Sequence, residues 1–310
     1  MHVGHPLAVS IEPTNACNLH CPECPSGMNQ LMRQRGSMKI ELFRSVIDQL
    51  SPALTYLTLY FQGEPYLNPR FTDFVQYARS KHIFVSTSTN GHFLDREQAE
   101  TTVQSGLNRL IISVDGTDQN TYAAYRIGGS LEKVIEGIRH LSEARVKLGR
   151  ANPEIIVQCL VLKSNEHQLT EVKRLGKEWG ADKVELKSAQ FNQFEYGNPL
   201  MTENQRYSRY SAANSGSGSG PASKYRIRNT LPRHCFRMWS SCVITWDGKV
   251  VPCCFDKDAT HPMGDLMQQP FSKIWRSIKY NEFRQRILSE REKIEICRNC
   301  TEGTGLSRFF

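Results

Sequence analysis

The sequence predicts an α/β protein built on a parallel sheet, followed by a small cysteine-rich unit. Three observations carry this expectation. Short apolar runs alternate with amphipathic stretches over the first two thirds of the chain. That pattern fades near residue 189, and a low-complexity SGSGSG run follows at 215–220. Nine of the ten cysteines fall into two groups, three within residues 17–24 and six within 235–300.

The elements follow in order. Strands are expected at 7–11, 54–60, 83–87, 109–114, 155–162 and 183–187. Between them, three sets of apolar residues recur at helical spacing: Ile40, Phe43, Val46, Ile47, Leu50; Phe71, Phe74, Val75, Ala78; and Leu131, Val134, Ile135, Ile138, Leu141. Each set lies on one helical face. Strands that alternate with helices pair in parallel through right-handed crossovers. An open doubly wound sheet and a partial barrel both satisfy this pattern, and in both the chemistry gathers at the carboxyl ends of the strands. Polar groups do follow the strands here: the first cysteines, Gly63-Glu64-Pro65, Thr89-Asn90-Gly91 and Ser113-Val114-Asp115-Gly116. The glycine–serine run marks a long loop or linker. Beyond it, apolar residues at 243–245 and 249–251 flank Asp247-Gly248, a tight-hairpin signal. Phe271, Ile274, Trp275 and Ile278 predict a further helix.

Composition narrows the function. A chain of 310 residues accommodates one large domain and a small one. Hydrophobic residues at 39% and charged residues at 23% describe an ordinary globular protein. No apolar run approaches the roughly 20 residues that span a bilayer. The first residues lack the basic start and apolar stretch of a signal peptide. The net charge of +8 permits an anionic partner. Lysines and arginines are spread along the chain with no basic block, which disfavours nucleic acid.

Clustered cysteines without an export signal point to metal ligation rather than disulfides. Cys17, Cys21 and Cys24 have the spacing CxxxCxxC. Three thiolates can each hold one iron of a four-iron cluster, leaving the fourth iron open. A zinc site completed by His20 is the alternative. Cys159 lies inside an apolar run and reads as a core thiol.

CxxxCxxC just after a first strand resembles the radical S-adenosylmethionine (radical SAM) superfamily, and further motifs follow in that superfamily's order. The resemblance implies a partial (β/α)6 TIM-type barrel over 1–195, a linker over 196–230 and a small C-terminal auxiliary-cluster domain over 231–310. It implies a 4Fe–4S cluster on Cys17, Cys21 and Cys24, with SAM on its open iron. Gly63, Glu64 and Pro65 are similar to the stretch that meets the methionyl ammonium. Ser88 and Asn90 belong to a TNG-type turn, and Ser113 and Asp115 to a stretch that contacts SAM. Arg126 stands where relatives place an arginine against the SAM carboxylate, and Leu162 stands beside the adenine. One departure is Glu23, where relatives usually carry an aromatic residue.

The C-terminal cysteines resemble the twitch or SPASM type of auxiliary domain. The implied ligands of a second 4Fe–4S cluster are Cys235, Cys253, Cys297 and Cys300, with Cys242 and Cys254 as alternatives to the first two. Spacing alone leaves a zinc staple equally open. The implied activity is reductive cleavage of SAM to a 5′-deoxyadenosyl radical, followed by hydrogen abstraction from a small molecule or peptide. The enzyme is then an oxidoreductase or an isomerase, fed by a one-electron donor such as flavodoxin or ferredoxin in a reducing cytoplasm. A two-electron oxidation helped by the auxiliary cluster is one outcome. An epimerase, or a peptide-modifying maturase with a structural auxiliary cluster, is the other. The first strand begins close to Met1, which weighs against a peptide-recognition extension. Tyr60, Gln62, Lys187 and Glu195 are candidates to line the substrate pocket. A zinc-stabilised binding protein is the alternative from another class.

Overall fold

Six strands alternate with helices from the start of the chain. They are β1 (Ala8–Ile11), α1 (Ile40–Leu50), β2 (Tyr56–Thr58), α2 (Phe71–Ser80), β3 (Phe84–Thr89), α3 (Arg96–Gln104), β4 (Arg109–Ser113), α4 (Gln119–Tyr125), α5 (Leu131–Lys147), β5 (Glu154–Val161), α6 (Leu169–Glu178) and β6 (Lys183–Ser188). A separate hairpin of β7 (Tyr210–Ala212) and β8 (Tyr225–Ile227) follows. The C-terminal unit holds α7 (Arg237–Ser240), β9 (Ser241–Ile244), β10 (Lys249–Val251), β11 (Gly264–Asp265), α8 (Phe271–Trp275) and α9 (Ile278–Glu290). The computed structural model describes residues 4–213, 223–229 and 231–300, so the SGSGSG run lies outside the described residues.

β1 to β6 pair in parallel in sequence order. Successive side chains of a strand point to opposite faces. Leu57, Val85, Leu110, Ile112, Ile155 and Val157 are buried in one core with the helix residues Phe43, Phe74, Val134 and Ile138. Phe43 stacks on Phe74 with ring centroids 4.4 Å apart, joining α1 to α2. The alternate residues Ser10, Thr58, Ile111, Ile156 and Lys187 wall one lumen. Only a curled sheet brings its first and sixth strands to the same cavity. This decides for the partial barrel over the flat doubly wound sheet. The free edge is β6, whose Lys183, Glu185 and Lys187 are exposed, a charged edge that discourages further pairing.

β9 pairs in parallel with β1, placing Cys242 opposite Val9. β10 turns back on β9 through the expected hairpin, with Gly248 at φ +89. The cysteine-rich unit thus continues the barrel sheet into nine strands. Glu12, just after β1, locks the junction. Its buried carboxylate accepts from Arg33 Nη1 at 2.6 Å and from the Trp246 amide at 3.2 Å.

The single helix expected from Phe271 to Ile278 is two helices. α8 ends before Ser277, whose hydroxyl accepts from the Tyr280 amide and starts α9. Ile278 is 77% exposed and takes no part in the buried face. A serine that caps the next helix outweighs one apolar residue in register. α3 was not legible, because its sequence REQAETTVQ shows almost no apolar stripe. Asp95 caps it by accepting from the Gln98 amide at 2.8 Å.

Candidate active site

A cavity of 730 Å³ opens at the carboxyl ends of β1 to β4. Cys17, Cys21 and Cys24 wall it together with Gly63, Glu64, Ser88, Asn90, Ser113 and Arg126. Nine residues singled out in the sequence therefore meet at one place. Tyr60, Gly27 and Tyr125 also line it. Gly27 and Tyr125 had no signal in the sequence, since each looks like an ordinary loop or helix residue.

The loops interlock through backbone contacts. The Glu64 amide donates to the Ala16 carbonyl at 2.8 Å, and the Gly63 amide to Ser26 Oγ at 3.1 Å. Gly63 has φ +77, and a Cβ there would lie 2.6 Å from the carbonyl oxygens of Thr14 and Ala16. We expect Gly63→Ala to destabilise the fold by roughly 1–3 kcal/mol through backbone strain, read from the urea midpoint, and to loosen the cysteine loop. The Glu64 carboxylate accepts from the Tyr66 amide, the Thr89 hydroxyl at 2.8 Å and the Asn90 amide at 2.7 Å. It therefore organises the Thr89-Asn90-Gly91 turn. Burial pushes Glu64 up to about 7, against the lowering effect of those donors.

Three expected contacts stand behind this wall rather than in it. Pro65 is buried at the start of a short 3₁₀ turn. Leu162 is fully buried with Leu19, Cys21 and Tyr125. Asp115 is buried and accepts from Arg126 Nε and from the Leu160 amide, both at 2.6 Å. It positions the arginine instead of lining the cavity. Arg126 Nη1 lies 3.8 Å from Cys21 Sγ. Burial disfavours the Arg126 charge, but Asp115 and Cys21 hold it well above its ordinary value. His20 is absent from the wall, and its Nδ1 is 3.0 Å from the Gly27 carbonyl oxygen.

A second, tight cavity is lined by Cys235, Cys253, Cys254, Cys297 and Cys300 among Met238, Phe255, Phe283, Ile287 and Ile296. All four expected auxiliary ligands are there, and so is Cys254. Cys242 is not. It is buried on β9 and lines the lumen instead. Arg291 holds the site closed, donating to the carbonyls of Pro232 and His234 at 3.1 and 2.6 Å and lying 3.6 Å from Cys300 Sγ. Nothing in the sequence marks Arg291, since an arginine in a polar stretch reads as solvated.

The lumen adjoins both, sharing wall residues with each. Tyr60 lines both the first cavity and the lumen. Arg237, Cys253 and Cys254 line both the lumen and the second cavity. Lys187 faces the lumen as expected, whereas Gln62 and Glu195 are not among its wall residues.

The cysteine sets suit clusters better than single ions. Among the described residues, no three histidine, cysteine or carboxylate groups converge on a single-ion site. Zinc would draw its sulfurs to about 2.3 Å from one centre, whereas a four-iron cluster spreads its cysteines over separate irons. Burial also raises the thiols, Cys17 and Cys297 each to about 11.

Comparison with known proteins agrees with this geometry. Residues 11–175 match the radical SAM superfamily, and residues 235–301 match SPASM, an iron–sulfur cluster-binding domain. The chain is 26% identical to a tungsten-containing aldehyde ferredoxin oxidoreductase cofactor-modifying protein of Pyrococcus furiosus, over 88% of this chain and 82% of that protein. It is 26% identical to PqqA peptide cyclase of Streptomyces rochei, over 97% and 83% of the two chains. Among solved structures, Streptococcus suis SuiB superposes with TM-score 0.67 at 13% identity, covering 91% of this chain and 68% of that one. BtrN, solved with AdoMet and 2-DOIA, superposes with TM-score 0.56 at 17% identity, covering 97% and 95%. These likenesses confirm the fold, and the two sequence matches set aside a zinc-stabilised binding protein. The chain belongs to the radical SAM superfamily, with that superfamily's four-iron cluster and S-adenosylmethionine as cofactors, and its C-terminal unit is an iron–sulfur cluster-binding domain.

Proposed function

We propose that this enzyme carries out a two-electron oxidation, by hydrogen abstraction, on a peptide segment held in the barrel lumen. The carrying observation is that the lumen shares Tyr60 with one cysteine-lined cavity and Arg237, Cys253 and Cys254 with the other. A substrate there lies between both sites. The peptide assignment is supported by the likeness to PqqA peptide cyclase over most of both chains. It is also supported by a lumen open along the β6 edge, where Glu185 and Lys187 are exposed.

In this reading Cys17, Cys21 and Cys24 hold the first cluster, and Cys235, Cys253, Cys297 and Cys300 hold the auxiliary one. When bound, the first cluster and SAM supply hydrogen abstraction, and the auxiliary cluster supplies an electron sink. The chain does the rest. Arg126, held by Asp115, would pair with the SAM carboxylate, a role suited to a planar cation. Ser88, Asn90 and Ser113 offer hydrogen-bonding groups along the same wall. Glu185, the carboxylate in the lumen wall, takes the proton that the oxidation releases. Flavodoxin or ferredoxin feeds the reaction in a reducing cytoplasm, and the barrel, linker and auxiliary unit divide at 1–195, 196–230 and 231–310. Among the described residues, no helix is long and apolar enough to cross a membrane.

Anaerobic incubation with SAM, dithionite and candidate peptides tests this. Product lighter by two hydrogens is expected; unchanged mass with solvent deuterium at one carbon would show an isomerase instead. Glu185→Gln should lower oxidised product roughly 100-fold while 5′-deoxyadenosine still forms. Equal loss of both would remove Glu185 from the proton's route.

A further inference from the structure

Glu23, the residue that departs from the aromatic usual at its position, sits between Cys21 and Cys24. Its carboxylate is committed to the segment after β6. Oε2 accepts from the Asn192 amide at 3.1 Å, and Oε1 accepts from Asn198 Nδ2 at 2.7 Å. Asn299, between Cys297 and Cys300, grips the same segment from the other side. Its Nδ2 donates to the Phe191 carbonyl at 2.6 Å, and its Oδ1 accepts from the Tyr210 hydroxyl at 3.1 Å. The Tyr210 hydroxyl in turn accepts from the Phe191 amide at 2.9 Å.

The peptide group that joins Phe191 to Asn192 is thus held at both ends. Its N–H is bound by the first cysteine loop and its C=O by the last. Phe191, Phe194 and Tyr210 pack beside it against Leu19, Cys21 and Leu162, which stiffens the attachment. A phenylalanine or tyrosine at position 23 could not accept from a backbone amide as a carboxylate does. The departure at Glu23 and the asparagine inside the C-terminal CxxC therefore make one device.

We propose that this shared peptide group couples the two cysteine sites, with Glu23 and Asn299 as positioning residues, so that each loaded site slows metal loss from the other. The coupling is mechanical. A cysteine loop pinned by its metal fixes one end of the peptide group, which leaves less freedom for the opposite loop to open. The inference rests on the two ligand sets proposed above. Iron and sulfide content of Cys21→Ala and Cys297→Ala variants tests those sets separately.

The coupling itself is read on the full chain, reconstituted anaerobically with excess iron and sulfide. Loss of each cluster to a chelator is followed by its own electron paramagnetic resonance signal. Glu23→Ala is expected to speed loss of the auxiliary cluster, and Asn299→Ala to speed loss of the N-terminal cluster, each about tenfold, the scale of a coupling between sites. The double variant should be little worse than either single one, because both break the same bridge. Glu23→Gln keeps the accepting oxygen and should restore most of the lifetime. Far-UV circular dichroism and hydrogen exchange at residues 189–198 monitor folding, and exchange should rise there in both alanine variants. If each variant affects only the cluster in its own loop, with additive effects in the double, the proposal is wrong.

Discussion

Cys21→Ala will abolish SAM cleavage. Cys21 is the buried member of the first trio, packed with Leu19, Tyr125 and Leu162, and its sulfur faces Arg126 Nη1 at 3.8 Å. Cys17 and Cys24 stand at the half-buried rim of the same cavity. Removing the inner thiolate leaves two ligands where three are needed to hold three irons. Loss of supporting contacts alone typically costs a metal site 10- to 100-fold, roughly, so loss of a ligand should exceed about 100-fold. The measurement is 5′-deoxyadenosine formed per chain under dithionite, together with iron and sulfide content after reconstitution. A methyl group replacing a thiol in that apolar cluster leaves packing nearly intact, so the protein should remain folded. Full deoxyadenosine yield from this variant would sink the assignment of the cluster to this loop.

Asp115→Ala will destabilise the barrel. Asp115 is 1% exposed and accepts two hydrogen bonds of 2.6 Å, from Arg126 Nε and from the Leu160 amide. Its deletion leaves the largely buried Arg126 guanidinium without its carboxylate and the half-buried Leu160 amide without its acceptor. Breaking a buried ion pair from one side costs about 3–5 kcal/mol. The urea midpoint should fall accordingly, with an unchanged slope. Asp115→Asn keeps the shape and an accepting oxygen but loses the charge, so it should lie between the alanine variant and the wild type. Arg126 would also lose its fixed orientation, and SAM affinity should drop in both variants. A wild-type midpoint for Asp115→Ala would show that the pair adds nothing to the fold.

Much of the fold and site was legible because the signals were local. Apolar runs such as residues 155–162 carry strand identity in their own composition. The CxxxCxxC spacing brings three sulfurs together with no help from distant chain. Glu64, Asn90 and Ser113 could be placed because each stands at, or within six residues of, the carboxyl end of a strand. Other features were hidden. α9 buries Arg284 and Tyr280 beside Phe283 and Ile287, so its inner face does not read as an apolar stripe. Arg284 stays buried by donating to the Met238 and Trp275 carbonyls at 2.9 and 2.8 Å, contacts no periodicity reports. The partners of Asp115 were hidden for the same reason. Its partners, Arg126 and Leu160, are set by how strands and loops close in space.

The sequence by itself determined the alternation of strand and helix, the two cysteine groups and the chemistry those groups can hold. These depend on neighbours within a few turns of chain. Only the tertiary structure decided that β9 lies parallel to β1, that the lumen adjoins both cysteine cavities, and that Glu23 and Asn299 meet across one peptide group. Such contacts link residues more than a hundred positions apart. They arise when a curled sheet and its loops bury apolar surface together, and no local pattern encodes where that brings them.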